Sequence, residues 1–200
     1  MIDKIYYINL DHRLDRKEHI EKLLTDSDLI DISERVSATY NKSLPHAGCV
    51  HSHIITLEKF IESNQQYCLI LEDDFTTDNI NTLKSDINKL FTDKIDFDIV
   101  QLAGNHMQLH NCEYTYLKRV TDSQTTSAYI ISKDFASILL NNFRESHKLI
   151  SESGRRHEYC LDIYWKKLQP VSKWYCYLPA LGYQMDSYSD IENKNASYKC

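Results

Sequence analysis

The segment Tyr67-Cys68-Leu69-Ile70-Leu71-Glu72-Asp73-Asp74 runs five largely apolar residues into three consecutive acids. An unbroken apolar run of that length predicts a strand buried on both faces, and the abrupt onset of charge predicts that its carboxyl end opens on a polar site. Working outward, residues 4–10 form a second β-rich apolar run, followed by Leu14, Ile20, Leu23 and Leu24 at roughly helical spacing. Between these two runs lie a short strand over residues 34–39 and a helix over 49–61, whose Ile54, Leu57, Phe60 and Ile61 share a face. Downstream, Ile80, Leu83, Ile87 and Leu90-Phe91 mark a helix, and residues 97–103, 114–118, 127–132 and 174–178 predict strands. Helices are predicted over 133–143 and 156–168. This alternation predicts an α/β sandwich with a mainly parallel sheet and a ligand crevice beyond the carboxyl ends of its strands.

Composition narrows the function. The chain has 200 residues, 42% of them hydrophobic and 26% charged, which suits one domain over 1–200 with a real core. Lys plus Arg number 23 against 29 Asp plus Glu, a net charge of −6, so there is no electrostatic case for a nucleic-acid partner. No apolar run approaches the roughly 20 residues of a transmembrane segment, and the N-terminus lacks the features of a secretory signal. A soluble cytoplasmic protein is the expectation. Six cysteines without a Cys-x-x-Cys pair are expected to be reduced and mostly buried thiols. The four glycines form no phosphate-binding loop and no nucleophile elbow, which disfavours kinase, dinucleotide, phosphotransferase and serine-hydrolase readings.

Three acids at the end of a buried strand repel one another, so a positive partner is expected beside them. Side chains alternate along extended backbone, which points Glu72 and Asp74 the same way. Two hard oxygen donors on one side suit Mg²⁺ or Mn²⁺, although a solvated acidic turn has the same sequence. Arg13 and Arg16 lie three apart after the first strand. If Asp11 caps the following helix, their guanidinium groups share a face suited to a diphosphate; an exposed helix face with ordinary ion pairs is the alternative. His106 and His110 have the spacing of a helical zinc pair, whereas His51 and His53 would face apart on a helix. Local hydrogen-bonding roles, or solvent exposure, are the better expectation for these imidazoles.

Taken in order, residues 8–16, Val36-Ser37-Ala38, Gly48-Cys49-Val50-His51-Ser52-His53 and residues 69–74 resemble the signature of family 25 glycosyltransferases. Residues 98–102, 126–132, Asp162, 179–184 and 189–191 continue the resemblance over nearly the whole chain. The family includes lipooligosaccharide and procollagen hydroxylysine galactosyltransferases. The resemblance implies a GT-A type fold, a UDP-sugar donor, Mn²⁺ or Mg²⁺ at the acidic motif, and transfer with inversion. The acceptor would be a hydroxyl on a glycan or hydroxylysine peptide. Its motifs place Asn9, Leu10, Arg13, Arg16, Ser37, Ala38, Asp73 and Gln184 with the nucleotide-sugar, and Glu72 and Asp74 with the metal. Asp162 would be the general base or a further metal-site acid. Pro45 stands where the family has a glycine. A non-catalytic nucleotide-sugar or glycan binder on the same fold is the rival expectation.

Overall fold

The computed structural model describes residues 1–191 and 194–196. The elements run β1 (Ile5–Asn9), α1 (Leu14–Asp26), β2 (Ser33–Ser37), α2 (Pro45–Glu62), β3 (Tyr67–Glu72), β4 (Phe75–Thr76), α3 (Ile80–Thr92), β5 (Ile99–Gln101), β6 (Asn105–His110), β7 (Leu117–Gln124) and β8 (Ala128–Ser132). They continue with α4 (Lys133–Ser153), α5 (Arg156–Tyr159), α6 (Leu161–Tyr164), a 3₁₀ turn (Trp165–Val171), β9 (Trp174–Tyr177), β10 (Tyr183–Gln184), β11 (Ser187–Ser189) and β12 (Lys194–Ala196). A short 3₁₀ turn, Ile30–Ile32, precedes β2.

Eight strands form one sheet in the order β2-β1-β3-β8-β5-β9-β7-β6. The predicted α/β sandwich is present, with β1, β2 and β3 parallel and β5 parallel to β9. Two strands, β8 and β7, run against the others, so the sheet is mixed within a mainly one-directional frame. Alternation along the central strands builds two cores. Ile5, Tyr7, Leu69 and Leu71 pack with Ile20 and Leu24 of α1 and with α3, whereas Tyr6, Ile8, Cys68 and Ile70 pack with α2 and α4. With both faces covered, β3 buries its four central residues and turns polar only at Glu72.

The departures from expectation have local causes. Residues 105–110 form the edge strand β6, whose mostly exposed polar side chains give no apolar alternation to detect. His106 and His110 are therefore on a strand, hydrogen-bonded to Ser123 and Thr121, and not a helical zinc pair. The helix predicted over 156–168 is broken, because Cys160 takes an extended ψ of 150° and Pro170 sits in the 3₁₀ turn that follows α6. Asp11 does not cap α1: the helix starts at Leu14, and Asp11 accepts instead from Arg35 and Ser37. Pro45 fits as the first residue of α2, where the missing N–H removes no helical bond. Three residues on, the Gly48 Cβ position would lie 2.5 Å from the Thr39 carbonyl oxygen, so the β2–α2 loop can rest on the helix only at glycine. Among the described residues no helix is long and apolar enough to cross a membrane, and Cys49, Cys68, Cys112, Cys160 and Cys176 are free thiols. Cys200 lies outside the described residues.

Candidate active site

Because β1, β2 and β3 are parallel, their carboxyl ends form one rim, and a cavity of about 640 Å³ opens beside it. Leu10, Arg16, Glu72, Asp74, Asp162 and Gln184 are among the residues that line it. The three acids diverge as the strand ends: β3 stops at Glu72 and Asp73–Asp74 lie in a turn, so the alternation that would send Glu72 and Asp74 to the same partners does not hold. Glu72, the last residue of β3, accepts from Thr126 Oγ1 at 2.7 Å and faces His53 Nε2 at 3.2 Å. Asp73 accepts from Asn9 Nδ2 at 2.7 Å and from Arg16 Nη1 at 3.0 Å. Asp74 receives the same Nη1 at 3.1 Å and Gln184 Nε2 at 3.4 Å. The pairing of β10 with β4 brings Gln184 there, since Gln184 lies opposite Phe75, the residue after Asp74.

The expected positive partner is thus Arg16. Its second fork nitrogen, Nη2, donates to Ser187 Oγ at 2.6 Å and to the Tyr188 carbonyl at 3.1 Å. Arg13 is turned elsewhere: Nε and Nη2 clasp Asp15 at 2.9 and 2.8 Å, while Nη1 donates to the Tyr188 carbonyl at 2.9 Å and to Asp190 at 2.5 Å. The two guanidinium groups therefore form no paired free clamp; ion pairs hold both, as in the alternative reading, but on largely buried arginines rather than an exposed helix face. Ser37 and Asn9 stand back from the site as well. Neither lines the cavity: Ser37 hydroxyl donates to Asp11, and Asn9 sits beneath the site, bracing Asp73 and the Arg13 carbonyl. Leu10, Ala38, Arg13, Asp73 and Gln184 do line it.

One guanidinium cannot balance three carboxylates. Burial, then the charge of Glu72, pushes the Asp74 carboxyl up to about 7 despite Arg16. Burial also raises Asp73, against the pull of Arg16 and Asn9. Burial acts upward on Glu72 as well, but His53, Thr126 and Arg16 together outweigh it and hold this carboxyl below its ordinary value. The cluster is short of positive charge at Asp74, and its donors are hard oxygens, so the residues fit a divalent Mg²⁺-like ion. Arg16 Nε, buried at the cavity wall, has no hydrogen-bond partner among the described residues, leaving one donor for an anionic oxygen.

Asp162 enters the cavity from α6, where burial raises its carboxyl and the Thr125 N–H, at 3.3 Å, opposes the rise. Thr125 makes that contact with a φ of 77°, a left-handed conformation that costs a β-branched residue about 1–3 kcal/mol. Of the two expectations for His53, hydrogen bonding holds and solvent exposure does not: it stands fully buried between Glu72 and Tyr129, with Nδ1 3.0 Å from the Tyr129 hydroxyl. Cys49 was expected only as a buried thiol, yet its Sγ lies within 4.8 Å of ligand atoms on His53 and Glu72. The available signal was Cys49-x-x-x-His53, one helical turn apart on a helix that packs beside β3.

The sequence model of glycosyltransferase family 25 (LPS biosynthesis protein) matches residues 27–152. No curated protein matches the chain. Among solved structures, a glycosyltransferase involved in the glycosylation of the major capsid of PBCV-1 aligns at a TM-score of 0.56 and 12% identity, over 96% of this chain and 97% of that one. An apo UDP-glucose pyrophosphorylase aligns at 0.50 and 10% identity, over 91% and 74% of the two chains. The glycosyltransferase GlyE in Streptococcus pneumoniae TIGR4 aligns at 0.50 and 8%, over 88% and 45%. At these identities the likeness is one of fold.

Proposed function

The chain belongs to glycosyltransferase family 25, and from that premise we propose that its cavity moves a hexose, galactose or glucose, from a UDP-sugar to a hydroxyl of a glycan or of a hydroxylysine peptide. The protein is a glycosyltransferase on a GT-A-like fold. The observation that carries the finer reading is the convergence of Asp73 and Asp74 on the single Arg16 guanidinium, in a cavity that Glu72 and Asp162 also line. Glu72 and Asp74 would hold Mn²⁺ or Mg²⁺. Such an ion, when bound, supplies positive charge against the departing diphosphate.

The remaining roles belong to the chain itself. Arg16, anchored by Asp73 and Asp74, keeps a buried Nε–H for a phosphate oxygen. Leu10 and Ala38, at the ends of β1 and β2, supply apolar wall for the nucleoside. Gln184 orients Asp74 through its side-chain amide. Asp162, raised by burial, takes the proton of the acceptor hydroxyl as that oxygen attacks the anomeric carbon. Attack from the face opposite UDP inverts that carbon. The site's resemblance to the family favours inversion and the UDP-sugar; its acidity and oxygen donors favour the metal.

A panel of UDP-sugars, assayed for UDP release with Mn²⁺, with Mg²⁺ and after chelation, tests the reading. One UDP-hexose turned over with Mn²⁺ and not after chelation is the expected result. Equal turnover after chelation rejects the metal, and no release from any UDP-sugar rejects the donor.

A further inference from the structure

Beside the oxygen cluster stands a second group of donors with different chemistry. Cys49 and His53 lie four residues apart on α2, so both project from one side of the helix, toward the end of β3 where Glu72 sits. The Cys49 sulfur, a His53 ring nitrogen and a Glu72 carboxylate oxygen all lie within 4.8 Å of one another. All three residues line the cavity. We propose that Cys49, His53 and Glu72 form a three-ligand site for a borderline-soft divalent cation of the Zn²⁺ class, with the fourth position open to the cavity.

The donor set discriminates. A thiolate and an imidazole are poor partners for Mg²⁺ or Mn²⁺ and good ones for Zn²⁺, and three protein ligands with one open position is a recurrent zinc arrangement. Bond lengths of about 2.0–2.3 Å imply ligand–ligand edges of roughly 3.5 Å. His53 Nε2 and Glu72 Oε1 already stand 3.2 Å apart, and the separations to Cys49 Sγ, none above 4.8 Å, need to contract by at most about an ångström, within the reach of side-chain rotation at Cys49. His53 is already oriented from behind. Its Nδ1 lies 3.0 Å from the hydroxyl of the fully buried Tyr129, and its ring stacks on the Tyr129 ring at a centroid distance of 5.9 Å. A bound cation would select the Nδ1–H tautomer: Nδ1–H then donates to that hydroxyl, and Nε2, which faces Glu72 in the free protein, gives its lone pair to the cation, with the ring held from its far side as in other metal-binding histidines. Binding displaces the Cys49 S–H proton to solvent, and the thiolate keeps the electron pair that forms the metal–sulfur bond. A Glu72 carboxylate committed to this cation, on the side where it already faces His53, is not available to an ion at Asp74, so the two metal roles compete; that consequence rests on the reading of the acidic motif above, whereas binding at Cys49 does not.

Titration of the full-length, reduced protein with Co²⁺, a spectroscopic stand-in for Zn²⁺, tests the site. The expected result is one equivalent giving a thiolate-to-cobalt charge-transfer band with tetrahedral visible bands, both displaced by Zn²⁺. The charge-transfer band is lost in Cys49→Ser and kept in Cys160→Ser, which removes the neighbouring cavity thiol. Absence of the band in the wild type, or its persistence in Cys49→Ser, overturns the proposal. Should Cys49→Ser fail to fold, alkylation of the wild type supplies the answer. Zn²⁺ protecting Cys49 from iodoacetamide in peptide mapping supports the site, and equal labelling with and without Zn²⁺ overturns it.

Discussion

At the scale of single residues, Asp74 and Asp15 show opposite electrostatics. Asp74 is ionised at a cost, since burial and Glu72 lift its folded carboxyl to about 7, above the ordinary 3.8. A carboxyl raised in the folded state destabilises that state once pH passes its unfolded value, so removing the charge does not unfold the protein. Asp74→Asn is therefore expected to melt at or above wild type at pH 8 while UDP release falls by roughly 10²-fold or more, because charge on the leaving diphosphate loses its counterpart. Thermal melts paired with turnover check this; full turnover removes Asp74 from the metal role. Asp15 is the reverse case. The Arg13 fork, with smaller help from the Arg16 N–H, lowers its carboxyl from 3.8 to about 2. Its stabilisation is present above about pH 4 and disappears as pH falls through about 2. The side chain is 67% exposed, so the pair contributes less than about 1 kcal/mol. Asp15→Asn should lower the melting temperature slightly at pH 7 and match wild type at pH 2; an equal deficit at both values assigns the effect to something other than this ion pair.

At the scale of elements, the site depends on short pieces that sequence periodicity does not register. Gln184 reaches Asp74 because two-residue β10 pairs with two-residue β4, an approach that Gly182 permits. A Cβ at Gly182 would meet the Thr76 carbonyl oxygen at 2.3 Å and the Phe75 ring at 2.4 Å. Phe75 is fully buried and cannot withdraw. Gly182→Ala is predicted to destabilise the protein by about 1–3 kcal/mol and to weaken donor binding as Gln184 shifts, measured by chemical denaturation and the KM for the donor. Wild-type stability would show that the β4–β10 contact is slack. The long apolar strands β1, β3 and β8 and the helices α1 to α4 were legible in the sequence because two-sided burial leaves continuous apolar runs and one-sided burial leaves a 3.6-residue period. Edge strand β6 and the broken α5–α6 segment were not, since polar edge pairing and a single extended residue at Cys160 leave neither signal.

At the scale of the molecule, the predicted burial of β3 and the predicted crevice at its end come from one cause: helices cover both faces of the sheet, so charge can appear only where the strand leaves it. What the sequence could not show is how the acids divide. Glu72 turns to His53 and Thr126, whereas Asp73 and Asp74 share Arg16, a pairing set by the packing of α1 and α2 on opposite faces. The same packing diverts Arg13 to Asp15 and Asp190 and carries Ser37 outside the cavity. The carboxyl end of β3 as the seat of a divalent cation is the claim on which the rest turns. Crystals soaked with Mn²⁺ and UDP, read by anomalous scattering at the manganese edge, test it directly. The account predicts an anomalous peak in contact with the Glu72 and Asp74 carboxylates and with the diphosphate. UDP bound in the cavity with no peak at those carboxylates would contradict it.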